Sequence, residues 1–399
     1  MQGNNQDEVR RRNLAVILRL VHRTGPASRA QLTRATGLNR STIAALVGAL
    51  VLHGLVIERD PEGNNLVGRP SPTVAASDRV VALAVYPEVD AVTIGLVGPN
   101  GSVRRRIVYP VDRPPSAIEA VNISTAVIDG MRGELDELRV VGIGVAVPGL
   151  VRVSDGHVHH APSLGWTDEP FASRLALATG YPTWAANDAN LGAAAERHFG
   201  AGRGLTDLIY LNGGAGGIGG GLIVGGSVAG GAIGFAGEIG HMRVSSQRSV
   251  DSAGIAGTLE AEVTRRSLLE ALGLERATNE ELENALLESD SPGVRDEVDR
   301  QLGYLAVALS AAINILNPEA VVLGGFLASL LAKDPTGLQQ KIAAWTLSAP
   351  FREIDLRRAE LGANLFMIGA AEFAFERRLY DPTGLSLAQS PVTSPGVIA

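Results

Sequence analysis

The chain has 399 residues, 45% hydrophobic and 19% charged, enough apolar material for a sizeable core and too much chain for one ordinary domain. The absence of cysteine excludes disulfides, thiolate metal sites and cysteine nucleophiles. No apolar run reaches bilayer length and none follows the charged start "MQGNNQDEVRRRN", so a cytoplasmic protein with no membrane partner is expected. Charge is uneven: residues 1–77 carry ten arginines against five acids, a balance of +5, leaving −12 on the rest of a chain whose net charge is −7. A basic head on an acidic body points to a polyanion partner for the head alone, because each neutralised phosphate releases counterions.

Leu14, Ile17, Leu18 and Val21 follow the i, i+3, i+4, i+7 spacing of one helix face, and Gly25-Pro26 breaks that helix. Ser28 caps a second helix through "RAQLTRAT", Gly37-Leu38 makes a tight turn, and Asn39 caps a third helix with Ile43, Leu46, Val47 and Leu50 on its apolar face. Two short helices across a glycine turn predict a helix-turn-helix. The third helix leaves Arg40, Ser41, Ala44, Ala45 and Gly48 facing out beside Thr42, small enough to approach a major groove, with Arg40 the long base-reading side chain. "GLVIERDPEGNNLVGRPSPTVAA" then reads as two extended segments around a turn, a wing in which Arg69, between Gly68 and Pro70, is presented to a minor groove. The plainer alternative is a three-helix packing unit with solvated arginines. Agreement among charge, spacing, caps, turn and wing favours operator DNA as the partner.

From Val80 the chain turns to strands and glycine. "VVALAVY", "AVTIGLV" and "SVRRRIVYPV" read as antiparallel strands, with Pro99-Asn100-Gly101 as the turn signal, followed by a helix near 115–130 and the buried strand "RVVGIGVAVPG". This β-β-β-α-β order predicts an α/β domain. A second such unit starts at "DLIYLNGGAGGIGGGLIVGG", and "NPEAVVLGG" at 317–325 reads as a later strand.

Several ordered stretches of the body, "GIGVAVPGLV", "APSLGW", "WAANDAN", "GGIGGGLIVGG", "GEIGH", "GTLE" and "NPEAVVLGG", resemble the ROK family of repressors, open reading frames and sugar kinases. The head resembles the winged helix of ROK repressors through "TGLNRST" and "GRP". The resemblance runs from about Arg10 to Tyr380. It implies an α/β chain with an N-terminal winged helix-turn-helix at 1–78 and an actin-like, ribonuclease-H-like body of two lobes. The first lobe is expected at 79–186 with a return helix at 365–382, and the second at 187–364 with a sugar pocket at the lobe interface. Residues 383–399 read as a disordered tail.

In ROK kinases the aspartate matching Asp188 is the general base toward a sugar hydroxyl. Residues matching Gly149, Ser163, Asn187, Glu238, His241 and Glu260 complete the sugar site, with Ser163 standing where many relatives have asparagine. Ionised carboxylates and amides suit vicinal hydroxyls, and a nearby carboxylate can serve as base. Taken singly, Asn187-Asp188 reads better as a turn and helix cap, Glu238 as a solvated charge and His241 as a satisfied strand residue; their joint fit to the family order reverses this.

Two departures favour recognition over catalysis. The family's phosphate loop reads here Tyr86, Pro87, Glu88, Val89, Asp90, adding two carboxylates and removing one N–H, and Gly216 replaces a phosphate-contacting threonine. The family's zinc, held by a histidine matching His241 and three cysteines, meets Asp251, Ala253 and Thr258 at the cysteine positions, so no metal and no cofactor are expected. His157, His159 and His160 read as surface residues rather than replacement ligands. The resemblance thus implies a non-enzymatic repressor of carbohydrate metabolism genes that binds operator DNA as a homodimer or homotetramer and senses a sugar. A ROK-type sugar kinase with an added DNA-binding head is the enzyme alternative. A ligand-independent architectural DNA binder is the third.

Overall fold

The computed structural model describes residues 2–59, 72–352, 354–380 and 382. The segment with Arg69 and the expected tail at 383–399 lie outside them. The head starts with α1 (Gln2–Thr24), whose stripe of Leu14, Ile17, Leu18 and Val21 is buried. β1 (Ala27–Ser28), α2 (Arg29–Thr36), α3 (Arg40–Leu52), β2 (Val56–Arg59) and β3 (Thr73–Ala76) follow. Ser28 and Gln31 form a reciprocal capping box on α2, and Gly37, at φ 70°, closes it in the left-handed region open to glycine. Asn39 Oδ1 accepts the Thr42 N–H at 2.8 Å to start α3. The bend between α2 and α3 is 113°. β3 pairs antiparallel with both β1 and β2, making a small sheet beside the three helices.

In the body, β4 (Val80–Pro87), β5 (Ala91–Val97) and β6 (Val103–Pro110) form an antiparallel meander. β5 is buried throughout, whereas β6, at the sheet edge, exposes Arg104, Arg105 and Arg106, charges that discourage edge-to-edge pairing. After α4 (Ala117–Gly130) and α5 (Arg132–Leu135), β7 (Arg139–Val147) joins β4 in parallel. β8 (Leu150–Arg152), β9 (His157–Ala161) and β10 (Trp166–Glu169) make a separate antiparallel sheet. Past α6 (Phe171–Thr179), β11 (Thr183–Asn187) completes the order β11-β7-β4-β5-β6.

α7 (Asp188–Phe199) leads to the second unit, which opens with β12 (Leu208–Gly214), β13 (Gly217–Val224) and β14 (Ser227–Val228). The helices α8 (Leu259–Glu262), α9 (Arg265–Leu272), α10 (Asn279–Glu288) and α11 (Pro292–Leu316) precede β15 (Ala320–Gly325). α12 (Phe326–Lys333), α13 (Pro335–Trp345) and α14 (Ser348–Arg352) precede β16 (Asp355–Arg358). The order β14-β13-β12-β15-β16 repeats that of the first sheet: a meander, then two parallel strands added beside its first strand.

The last helix, α15 (Leu365–Tyr380), returns to the first sheet and packs on β4, β7 and α7. A side chain at Gly144 on β7 would overlap the Ala370 carbonyl, so the approach of this helix depends on that glycine. The apolar stripe of α1 and the inner face of α15 belong to one continuous core. At its edge His22 Nε2 lies 2.6 Å from Glu372 Oε2, both side chains almost fully buried. Arg23 donates to Glu372 at 3.0 Å and to Glu376 at 2.9 Å. Among the described residues no single helix is long and apolar enough to cross a membrane.

Candidate functional site

The body's site is built where β11 ends and α7 begins. Asn187 caps α7, its Oδ1 accepting the Asn190 N–H at 2.9 Å, while its Nδ2 donates to the Gly149 carbonyl at 3.0 Å. The Asn-Asp pair is therefore a helix cap and also a tie to the loop after β7. Asp188, 9% exposed, accepts the Ala189 N–H at 2.8 Å and faces the Tyr86 hydroxyl at 3.4 Å. Burial pushes its carboxyl up to about 7, and the charges of Glu238 and Glu88 act in the same direction.

Glu238 precedes a single turn, Ile239–His241, with its own carboxyl raised by burial. His241 Nε2 stands 3.9 Å from Glu238 Oε2 and Nδ1 lies 2.7 Å from Asp251 Oδ2. Burial alone would lower the His241 pKa, but the Asp251 hydrogen bond and the surrounding carboxylates raise it. Glu260, on α8, accepts the Ile218 N–H and the Ser252 N–H, each at 2.9 Å. Gly217, at φ 134°, holds a backbone conformation that L side chains rarely adopt, and a Cβ there would displace the Glu260 carboxylate. Ser163, in the turn after β9, faces Gly216, where an added Cβ would come within 3.3 Å of the serine Cβ.

Carboxyl groups whose ionisation burial opposes cluster here. Glu88 is raised to about 7, first by burial and then by Asp90. Glu88 and Glu238 act on Asp188, and Glu260 acts on Glu238. His241 and, near Glu88, Arg106 oppose this charge. Carboxylate acceptors with an imidazole suit hydroxyl groups and disfavour phosphates.

The approach of Tyr86 to Asp188 spans 102 positions in sequence, and the sequence reading placed Tyr86 only in a lost phosphate loop. Asn190 was also missed: its buried Oδ1 has no partner, and the i+3 spacing from the Asn187 cap was the available signal. His157 and His159 stand 3.7 and 3.2 Å from Asp168, on the sheet of β8 to β10. In the head, Arg40, Ser41, Ala45 and Gly48 are exposed on α3, and Thr42 and Ala44 are partly so. Ser41 donates to the capping Asn39 at 2.8 Å.

The residues around His241 do not fit a closed zinc site. Ala253 has no donor atom, and Asp251 and Thr258 already bond to each other at 2.9 Å. Among the described residues, His198, Glu372 and Glu376 are spaced to share a cation, but Arg23 pairs with both of those glutamates.

Two five-stranded sheets of matching order, with α7 starting among buried carboxyls at the end of the first, make a mixed α/β body. The chain belongs to the ROK family, whose model matches residues 89–377. The xylose repressor of Bacillus subtilis (strain 168) is 25% identical over 385 residues, 94% of this chain and 98% of that protein. A glucokinase of Halalkalibacterium halodurans is 29% identical over 272 residues, 63% of this chain and 82% of that protein. Among solved structures, a ROK family transcriptional regulator, homolog of the E. coli MLC protein, shares the fold with TM-score 0.77 at 22% identity, over 94% of this chain and 97% of that one. Similarity to the repressor thus extends through the head, whereas the glucokinase match spans a smaller share of the chain.

Proposed function

We propose that this protein is a sugar-responsive transcriptional repressor. Its head is a winged helix-turn-helix that binds operator DNA through Arg40, Ser41, Thr42, Ala44 and Ala45 of α3, with Arg69 on the wing. Its body binds a neutral sugar through Gly149, Ser163, Asn187, Asp188, Glu238, His241 and Glu260 without phosphorylating it. The observation that carries this reading is the buried joint between the two parts. α7 starts at Asp188 in the cleft and ends at Phe199, whose ring centroid lies 6.3 Å from that of His22 on α1. His22 in turn contacts Glu372 of α15. Sugar binding that shifts α7 would bias the placement of α1 and hence of α3, a coupling that needs two populated lobe arrangements. In a homo-oligomer this would alter the spacing of two heads on a two-fold operator.

The xylose repressors among the relatives make D-xylose the first effector to try, with D-glucose second. Operator binding measured with and without each sugar tests the reading. A response to either supports it, and identical operator affinity across a panel of neutral sugars would remove it. The similarity to glucokinase supports a second reading, a sugar kinase carrying a DNA-binding head. Against it stand Glu88 and Asp90, two carboxyls side by side, and Pro87, which lacks the N–H that a phosphate loop would offer. ATP-dependent sugar phosphate, lost in Asp188→Asn, would establish the kinase.

A further inference from the structure

We infer that Asp251 is the positioning residue of the effector-facing wall, a hydrogen-bonding centre that sets His241 and Glu260 without a metal. The inference rests on the sugar-binding reading for its consequence and on geometry for its mechanism. His241 sits on a three-residue turn and Glu260 on the four-residue α8, elements too short to hold a side chain rigidly by themselves. The chain between them is a loop closed by two isolated bridges, Arg243 to Thr258 and Val250 to Ala256.

The Asp251 side chain is fully buried inside this loop and all its acceptor directions are occupied. Oδ2 accepts the His241 Nδ1–H at 2.7 Å and the Thr258 hydroxyl at 2.9 Å. Oδ1 accepts the Ala253 N–H at 3.0 Å and the Ile255 N–H at 2.8 Å. Thr258 also caps α8 by accepting the Ala261 N–H at 3.3 Å, which ties Asp251 to the helix carrying Glu260. The next residue, Ser252, donates its N–H to Glu260 itself at 2.9 Å. One carboxylate thus joins the turn of His241, the intervening loop and the start of α8.

The arrangement fixes the imidazole tautomer. With its proton on Nδ1, directed at Asp251, the neutral ring presents Nε2 as an acceptor on the side of Glu238, 3.9 Å away. A hydroxyl donor fits that nitrogen.

The test uses the full chain with histidine labelled in 15N, the His241 signal being assigned with His241→Gln. The neutral ring in alkaline buffer is expected as the Nδ1–H tautomer. In Asp251→Asn the tautomer should become mixed and D-xylose affinity, read by calorimetry, should fall on the order of tenfold. In the unaltered protein, 1,10-phenanthroline should leave D-xylose affinity as it was. An Nε2–H tautomer in the unaltered protein, chelator-sensitive binding, or unchanged tautomer and affinity in Asp251→Asn would each overturn the role. If Asp251→Asn does not fold, the tautomer of the unaltered protein decides. If neither D-xylose nor D-glucose binds, the sugar reading has failed, while the tautomer still decides whether Asp251 sets His241.

Discussion

Asp188 and Glu88 are carboxyls that burial has made reluctant to ionise. Their folded-state values of about 7 lie above those of the unfolded chain, so the folded protein keeps protons that the unfolded chain releases. The resulting stability is fully present below about pH 4 and is lost as pH rises toward 7, by on the order of a few kcal/mol. Asp188→Asn and Glu88→Gln should therefore raise the melting temperature at pH 8 and change it little at pH 4. Melting curves at both pH values check this, and equal shifts at both would contradict the assignment. In the head, Arg40 is exposed at the first position of α3. Arg40→Ala should cost roughly 1–3 kcal/mol of operator binding, concentrated at one base position, in titrations against a set of single-base operator variants. Both tests concern residues that the sequence marked by different signals. Arg40 was legible because cap, turn and apolar spacing are local. The raised Asp188 carboxyl was not, because it depends on burial and on the charges of Glu238 and Glu88, brought close only by the fold.

Among elements, α15 bears the most long-range consequence. Glu372 is buried, which alone would raise its pKa, yet His22 and Arg23 bring it well below the ordinary carboxylate range. That contribution to stability is present above about pH 4.5 and disappears as pH falls further. Glu372→Gln would leave His22 and Arg23 without their common carboxylate at a cost of about 3 kcal/mol. Limited proteolysis should then cut the segment between β3 and β4 faster, and operator affinity should respond less to sugar. Unchanged cleavage would show that apolar packing alone holds the head. The head's helices, the meander of β4 to β6 and its turn at Pro99-Asn100-Gly101 all followed from periodicity and turn chemistry. The two-residue β1 did not, since pairing with β3 across 45 or more residues leaves no local trace. The sheet of β8 to β10 was equally hidden, its strands being short and mixed in composition.

For the whole molecule, a head with +5 on a chain of net −7 makes DNA affinity depend on how the acidic body is held away from phosphate. Operator affinity should fall steeply with salt, the logarithmic slope reporting about 0.9 per phosphate contacted. The sugar affinity of the body, involving a neutral ligand, should change little over the same range. A matching salt dependence of both would mean that the effector is charged.

The return of α15 to the head also imposes an order of events during synthesis. The carboxylates that receive His22 and Arg23 lie 349 or more residues downstream, so α1 leaves the ribosome long before its counter-charges exist. At about 5–20 residues per second the head, its apolar stripe already packed on α2 and α3, waits tens of seconds with Arg23 lacking its carboxylate partners. Released chains ending at residue 364 should leave α1 more open to protease than the full chain, which carries α15. On the proposed coupling, the head comes under the control of the body only when the last helix has been made.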